Sequence, residues 1–394
     1  YTIFQLSSKN YESLSEILRG VSEMKLNNFE TYKQNKWEKI QDEWLVIRMK
    51  SMKINQIQTV GYELINQVKN IIVIFFAANL VANNELTMGS LLSISFIIGQ
   101  MNGPISDIVD FNRSFMEAKL SYSRLNEIQE SKPEDNEDHI CLPKETETFN
   151  QGITISNLTF RYEGINSPIV LDNVNFYIPN GKTTAIVGAS GSGKTTLLKI
   201  LLKYYSIEDN RILFNGVDFN KYSARSIREN SGTVMQDGFI FSETLYRNIV
   251  MSDEGNEDRF QQAIKIANLT EFINDLPLAQ NTIIGNSGIN ISGGQKQRIL
   301  IARAVYKNAK YFFFDEATSA LDSENERIIY NNLKKHFENK TVIVVAHRLS
   351  TVKNADQIVV LNNGKVVEIG NHKELILNKC YYHNLVQNQL ELGD

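Results

Sequence analysis

Two patterns of hydrophobic and polar positions divide the chain. Up to about residue 130 there are few helix breakers, with no glycine between Gly20 and Gly61 and no proline before Pro104. This pattern predicts long helices, including one over residues 14–50. Beyond residue 150, short apolar runs alternate with helical segments and Asn-Gly turns, which predicts an α/β domain with a β-rich edge. Residues 131–150 are polar, acidic and contain proline, which is typical of a linker.

A glycine-rich loop follows the predicted buried strand Thr183–Val187 and precedes the predicted helix Thr196–Leu202. The loop fits the pattern G-x-x-x-x-G-K-[ST], in which backbone N–H groups surround the phosphates of a nucleotide. Lys194 would place its charge beside the β- and γ-phosphates, and the Thr195 hydroxyl would ligate Mg²⁺. The predicted nucleotide-binding residues of this loop are Gly188, Ala189, Ser190, Gly191, Ser192, Gly193, Lys194, Thr195 and Thr196.

A second apolar run, Tyr311–Phe314, ends on two carboxylates. It has no polar face, so we expect a strand covered on both sides, as in a parallel sheet. Asp315, at the carboxyl end of that strand, suits Mg²⁺ binding, and Glu316 suits polarising an attacking water as a general base. An acidic pair after a core strand is by itself about as often a surface feature. The phosphate loop in the same chain favours the catalytic interpretation.

A third short motif opens another predicted helix, which continues with Lys296–Arg298. A serine followed by two glycines at a helix N-terminus forms a second anion-binding site. One nucleotide does not need two such sites from one domain, so we expect this one to serve a nucleotide bound by another subunit. Its residues are Ser292, Gly293, Gly294 and Gln295.

Together these motifs resemble those of the ATP-binding cassette (ABC) family, whose Leu-Ser-Gly-Gly-Gln signature has Ile291 here in place of leucine. The resemblance covers about three-fifths of the chain, from Gln151 onward. It implies a P-loop ABC nucleotide-binding domain of the α/β class over residues 151–390, with ATP and Mg²⁺ as its ligands. It also implies that two such domains dimerise head to tail around two ATP molecules.

The resemblance implies roles for further residues. Tyr162 is similar to the aromatic residue that stacks on adenine, and Gln236 to the glutamine that touches Mg²⁺ and faces the transmembrane domain. Ser319–Asp322 resembles the loop that reaches across the dimer. His347 is similar to the histidine at the γ-phosphate, although a lone histidine after a strand is more often structural. The implied catalytic residues are Lys194, Glu316 and His347. The implied Mg²⁺ ligands are Thr195, Gln236 and Asp315.

Residues 1–130 contain two apolar stretches, at about residues 70–83 and 86–105, and neither is a strong membrane signal by itself. Basic residues lie before and after the pair, whereas the connection Asn83–Glu85 has none, which is the positive-inside pattern of a membrane hairpin. A soluble hairpin packed on the cassette would explain the same residues, but the fused cassette favours the membrane. We predict membrane helices at about 62–82 and 86–106, in contact with the lipids of a bacterial cytoplasmic membrane.

This all-α region resembles the last third of an ABC exporter transmembrane domain, in which Val21–Leu26 is similar to the coupling helix that docks on a cassette. The resemblance implies a partial transmembrane domain over residues 1–130, with four more helices before Tyr1, and a half-transporter that pairs with a second copy. Leu86–Leu92 and Ala118–Leu125 are similar to bacterial peptidase-containing bacteriocin exporters, which implies a peptide cargo. A lipid or drug exporter, an importer cassette and a soluble ABC ATPase remain alternatives.

Composition narrows these alternatives a little. The chain has 41 basic and 45 acidic residues and a net charge of −4, which argues against a protein that coats nucleic acid. Cys141 and Cys380 have neither metal-site nor disulfide spacing, which fits a cassette in a reducing cytoplasm. Exporters often carry two glutamates shortly before the signature, and Thr282–Gly288 lacks both. The usual charged contact with coupling helices is therefore not expected.

Overall fold

A computed structural model provides the structure of the protein. The residues that it describes are 2–130, 133–135, 139–142, 152–162, 167–252, 254–285, 288–346 and 352–391. The chain divides into two compact units, Tyr1–Lys132 and Pro133–Asp394.

The first unit is all-α. Its helices are α1 (Thr2–Arg19), α2 (Val21–Leu26), α3 (Glu30–Ala82) and α4 (Met88–Gln129). The prediction of one helix over residues 14–50 is wrong, because the chain breaks at Gly20 and again at Asn28, which has a positive φ of 50°. Asparagine tolerates that conformation better than most residues do. Asn10 joins α1 to α3, since its Oδ1 accepts hydrogen bonds from Trp37 Nε1 at 2.9 Å and Gln41 Nε2 at 2.6 Å.

The C-terminal half of α3 is apolar and exposed. Within the described part of the chain, α3 is the one helix that is long and apolar enough to cross a membrane, and α4 contributes a shorter apolar stretch, Met88–Met101. On α3, Ile71, Phe75 and Phe76 are exposed. Ala77 is the one buried residue of this fully described helix. Large exposed apolar surfaces need lipid or a protein partner to cover them.

The second unit is α/β. Its strands are β1 (Ile153–Phe160), β2 (Leu171–Ile178), β3 (Thr183–Val187), β4 (Ile212–Phe214), β5 (Val217–Asp218), β6 (Ser231–Val234), β7 (Glu243–Thr244), β8 (Ile283–Ile284), β9 (Tyr311–Asp315), β10 (Thr341–Val345), β11 (Gln357–Asn362) and β12 (Lys365–Gly370). Its helices are α5 (Lys194–Leu201), α6 (Ala224–Glu229), α7 (Leu245–Val250), α8 (Glu257–Ile266), α9 (Thr270–Asn274), α10 (Gly293–Tyr306), α11 (Ser323–His336), α12 (His372–Leu377) and α13 (Tyr381–Glu391). Two 3-10 turns lie at Phe219–Lys221 and Ala279–Asn281.

The strands form a mainly parallel sheet and a separate antiparallel sheet. The six-stranded sheet has the order β12-β11-β3-β10-β9-β6, with parallel pairing throughout except at the edge strand β12. The four-stranded sheet has the order β2-β1-β4-β5, and β7 pairs with β8. The predicted Asn-Gly turns join β4 to β5 and β11 to β12, with positive φ at both residues of each turn. The α/β class and the β-rich edge are confirmed.

Both faces of the parallel sheet are covered. Every residue of β9 is buried, as its uniformly apolar sequence predicts. On one face, Leu197 and Leu201 of α5 lie in a core shared with β1, β2 and β4. On the other face, Phe312 and Phe314 pack with the apolar residues of α7, α8 and α10. The sheet therefore presents the carboxyl ends of β3 and β9 beside each other across β10, and the candidate site lies there.

Part of the segment predicted as a linker packs on the second unit. Asp135 accepts hydrogen bonds from the backbone N–H groups of Ala224 (2.6 Å) and Arg225 (3.1 Å) at the start of α6. Glu134 pairs with Arg228 of the same helix, and the backbone N–H of Leu142 donates to Ser226 Oγ at 2.7 Å. Asp135 thus satisfies two donors at the N-terminus of α6, which is a stabilising arrangement.

Candidate functional site

The phosphate loop connects β3 to α5 and can be formed only by glycine at two positions. Gly188 has a φ of +153°, and a Cβ there would lie 2.0 Å from the carbonyl oxygen of Leu361. Gly193, the N-cap of α5, has a φ of +99°, and its Cβ would lie 2.7 Å from Leu171 Cδ2. At these two positions the loop thus approaches its neighbours more closely than any side chain allows.

Lys194 is buried at the start of α5. Its Nζ donates to the carbonyl oxygens of Gly188 (2.9 Å) and Ala189 (2.8 Å), so the ammonium lies inside the loop. Burial lowers the pKa of Lys194, and the nearby carboxylates of Asp315 and Glu316 oppose that effect. A buried cation enclosed by backbone and faced by two carboxylates can neutralise a phosphate that enters the loop.

The site has the donors that a Mg–nucleotide complex needs. Ser192 Oγ is buried in the phosphate loop and has no hydrogen-bond partner among the described residues, which leaves it available to a phosphate oxygen or the metal. Asp315 is buried at the end of β9, and Thr195 is half-buried in the first turn of α5. The described residues include no cluster of three His, Cys, Asp or Glu side chains, so a metal here would need hydroxyl, phosphate and water oxygens besides Asp315. This oxygen-only set fits Mg²⁺.

Glu316 follows β9 in an unusual backbone conformation. Its φ is +52°, which is rare for a residue other than glycine. Its N–H donates to Val345 O at 3.2 Å, and its carbonyl accepts from Gln297 Nε2 at 2.8 Å. Gln236 Nε2 lies 3.4 Å from Glu316 Oε2, at the long limit of a hydrogen bond. The structure therefore brings together four of the predicted site residues: Lys194, Gln236, Asp315 and Glu316.

Tyr162 stands beside the phosphate loop. Its hydroxyl is 2.6 Å from Thr196 Oγ1 in the first turn of α5. Its ring contacts Phe160 and Tyr205 edge-on, with centroid distances of 5.3 Å to each. The Tyr162 side chain is 47% exposed, so it retains open ring surface on which a base could stack.

Ser292–Gln295 begins α10, as predicted, and lies apart from the phosphate loop. Ser292 Oγ accepts from the N–H of Gln295 at 3.2 Å, and Gln295 Oε1 accepts from the N–H of Ser292 at 2.8 Å. This is a capping box. Within the described residues, no hydrogen bond joins this set to the phosphate loop. A Cβ on Gly294 would lie 3.2 Å from Ala320 O, so the glycine packs tightly against the backbone of that loop.

One predicted site residue lies outside the described residues, and two residues that were not predicted lie near the site. His347 lies outside the residues that the structure describes, so its role stays a prediction. Sequence reasoning missed Gln297, which contacts the backbone of Glu316, and Asn248, whose buried amide organises residues 241–244. For Asn248 the available signal was a polar residue at a buried position of an amphipathic helix, whereas Gln297 is only half-buried and has no such signal.

The chain has clear relatives. Residues 171–319 match the family model described as ABC transporter. The chain is 36% identical over 374 residues to the alpha-hemolysin translocation ATP-binding protein HlyB of Escherichia coli, covering 95% of this chain and 52% of that protein. It is 34% identical over 390 residues to the leukotoxin export ATP-binding protein LtxB of Aggregatibacter actinomycetemcomitans, covering 98% of this chain and 54% of that protein. It thus spans about half the length of these relatives.

A solved structure matches nearly the whole fold. The structure of a bacterial Atm1-family ABC exporter with ATP bound has a TM-score of 0.88 and 26% sequence identity, and the match covers 98% of this chain and 67% of that one. The match includes the helical first unit as well as the α/β second unit, which confirms the predicted combination of a helical exporter segment with an ABC nucleotide-binding domain.

Proposed function

The chain belongs to the ABC transporter family, and on this premise we propose that it is the C-terminal part of a bacterial exporter that hydrolyses ATP to move a peptide across the cytoplasmic membrane. The observation that carries the ATPase proposal is the convergence of Lys194, Asp315 and Glu316 at a glycine loop that a Cβ would obstruct. A positive charge, a metal-binding carboxylate and a general base at one phosphate site are the parts that phosphoryl transfer requires.

Each residue then has a distinct role. The N–H groups of Gly188–Thr195 and the Lys194 ammonium hold the phosphates, and Tyr162 stacks on the adenine. Thr195, Gln236 and Asp315 would hold Mg²⁺, which would supply charge neutralisation at the phosphates. Glu316 accepts the proton of the attacking water, and His347 is proposed to contact the γ-phosphate. Most of the rate enhancement comes from positioning and fixed charge.

A second copy of the chain would complete the site. Ser292–Gln295 is a capped helix N-terminus with an exposed serine and glycine, and nothing bonds it to the phosphate loop of its own chain within the described residues. In a head-to-tail homodimer, this set would close on the nucleotide held by the partner. The apolar surface of α3 and the start of α4 would cross the membrane and contact lipid, with the cassette in the cytoplasm.

The peptide cargo is supported by the relatives. HlyB is named for the translocation of alpha-hemolysin, and LtxB for the export of leukotoxin. A lipid or drug exporter would use the same ATP site, so the cargo is tested separately from the chemistry.

The test uses the full-length parent protein in proteoliposomes. Glu316→Gln should abolish ATP hydrolysis while preserving ATP binding, because the variant keeps the shape of the side chain but not the base. Near-normal ATPase in Glu316→Gln would refute the catalytic assignment. Stimulation of the wild type by peptides that carry a double-glycine leader would support the peptide cargo. Stimulation only by lipids or drugs would refute that cargo and leave the ATPase assignment intact.

A further inference from the structure

We infer that Gln297 is a positioning residue for Glu316, and that it links the general base of one ATP site to the helix that serves the other site. The inference rests on the proposed function, since it names a residue that acts through the proposed general base. It concerns the loop of residues 316–320, which follows β9 and lies against the first turns of α10.

The side-chain amide of Gln297 bridges the two ends of this loop. Its Nε2 donates to the carbonyl oxygen of Glu316 at 2.8 Å and approaches Ser319 Oγ at 3.3 Å. Its Oε1 accepts from the backbone N–H of Ala320 at 2.8 Å. A carbonyl can only accept and an N–H can only donate, so one orientation of the amide satisfies both ends. A carboxylate, an ammonium or an aliphatic side chain cannot make this pair of bonds.

Glu316 needs such support because of its backbone conformation. A φ of +52° is unfavourable for a residue with a side chain, and it persists only where the surroundings fix it. The Glu316 carbonyl accepts from Gln297 Nε2 and from Ser319 Oγ, the latter at 3.0 Å, and the Glu316 N–H is held by Val345 O. The Ser319 N–H also donates to the Glu316 carbonyl at 3.2 Å, so loss of Gln297 weakens the support of the loop and the backbone at Glu316 can relax towards a negative φ. The carboxylate would then leave its position beside Gln236.

The same amide connects Glu316 to the second anion-binding site. Gln297 lies in the second turn of α10, two residues after Gln295. The first turn of α10 also touches the loop, since a Cβ on Gly294 would lie 3.2 Å from Ala320 O, and one on Gly293 would lie 3.7 Å from Ala320 Cβ. A displacement of the N-terminus of α10 therefore moves the donor that holds Glu316. In the proposed dimer, an ATP held by Ser292–Gln295 at the partner's site would act on Glu316 through this contact.

The experiment compares two substitutions at residue 297 with a matched control in the full-length protein in proteoliposomes. Gln297→Met keeps the length of the side chain but makes neither hydrogen bond, and Gln297→Ala removes the side chain. Gln261→Ala is the control, because Gln261 is an exposed glutamine on α8 whose side chain, among the described residues, bonds to Glu257 alone. We expect both residue-297 variants to lower kcat for ATP about ten- to a hundredfold, with KM within about threefold of wild type. An unchanged kcat in Gln297→Met overturns the inference.

A second measurement separates positioning of Glu316 from a structural role or a role at the signature. In a Glu316→Gln background there is no base to position, so adding Gln297→Met should neither slow the residual hydrolysis further nor reduce the amount of retained ATP. Loss of retained ATP in the double variant overturns the inference, because Gln297 would then act on nucleotide binding. Failure of the proposed function is distinguishable, since it appears as full ATPase in Glu316→Gln alone.

Discussion

A half-buried histidine should make the stability of the α/β unit depend on pH. His336, in the last turn of α11, packs edge-on against Phe312, with ring centroids 5.8 Å apart, and its Nε2 lies 3.1 Å from Lys340 Nζ. Burial, and secondarily the charge of Lys340, lower the pKa of His336 from its ordinary value of 6.5 to about 4. The folded protein therefore keeps the ring neutral where the unfolded chain would protonate it.

The sign and the size follow from that difference. The unfolded chain binds the proton first as the pH falls below 6.5, so stability is fully present above 6.5 and is lost progressively down to about pH 4. Each unit of difference between the two pKa values corresponds to about 1.4 kcal/mol, so His336 would contribute about 3 kcal/mol to the free energy of unfolding. His336 is only partly buried, so solvent screening reduces this to about 1–2 kcal/mol.

The assay is denaturant unfolding of residues 133–394 at pH 7 and pH 4.5, for the wild type and for His336→Gln. Other groups that titrate in this interval contribute equally to both proteins, so the difference of differences isolates His336. On acidification, we expect the free energy of unfolding to fall by about 1–2 kcal/mol more in the wild type than in the variant. Lys340→Gln should give an intermediate loss, since it removes one of the two causes. Equal losses in the wild type and His336→Gln would refute the reasoning.

Two further predictions concern residues around the site. Asn248→Ala should lower the free energy of unfolding by about 2–4 kcal/mol in denaturant titrations. The buried Asn248 amide bonds to the N–H and the carbonyl of Phe241 at 2.9 Å each, and its removal leaves both groups unpaired. A loss no larger than that of the exposed control Gln261→Ala would contradict this prediction. Gly188→Ala should weaken ATP binding at least about tenfold in a nucleotide-binding titration, since its Cβ would meet Leu361 O at 2.0 Å. Gly191→Ala is the matched control, with a positive φ but open space around its Cβ, and equal affinities in the two variants would show that steric closeness at Gly188 does not matter.

Much of the second unit could be predicted from local sequence. The run Tyr311–Phe314 has no polar position, and a strand with no polar face must be covered on both sides. Asn363-Gly364 supports positive φ at both positions, which few dipeptides do, so its turn was predictable. The phosphate loop was predictable for the same reason, because Gly188 and Gly193 occupy backbone positions that no other residue fits.

Contacts between distant segments could not be predicted. The prediction of one helix over residues 14–50 failed because the break at Asn28 depends on how α2 ends. A single asparagine in a sequence does not predict a left-handed conformation. In the sequence, Gln297 cannot be distinguished from the other polar residues of its helix. Its contact with Glu316 depends on the packing of α10 against β9, which brings the loop of residues 316–320 beside that helix. No periodicity within α10 contains that information.

Polar side chains of helix α10, one amide and one guanidinium, connect the parts of this cassette. Gln297, near the N-terminus of α10, holds the loop after Glu316. Towards the other end of α10, Arg303 donates to the carbonyl oxygens of Asn248 (2.8 Å) and Phe239 (3.0 Å), so the loop after Gln236 is held by the same helix. An amide both donates and accepts without carrying charge, so it can join two backbone segments at a small desolvation cost. Helix α10 therefore contacts both loops that carry side chains to the γ-phosphate end of the proposed site. A rigid movement of α10 would displace both loops together. A change confined to one loop would not displace the other.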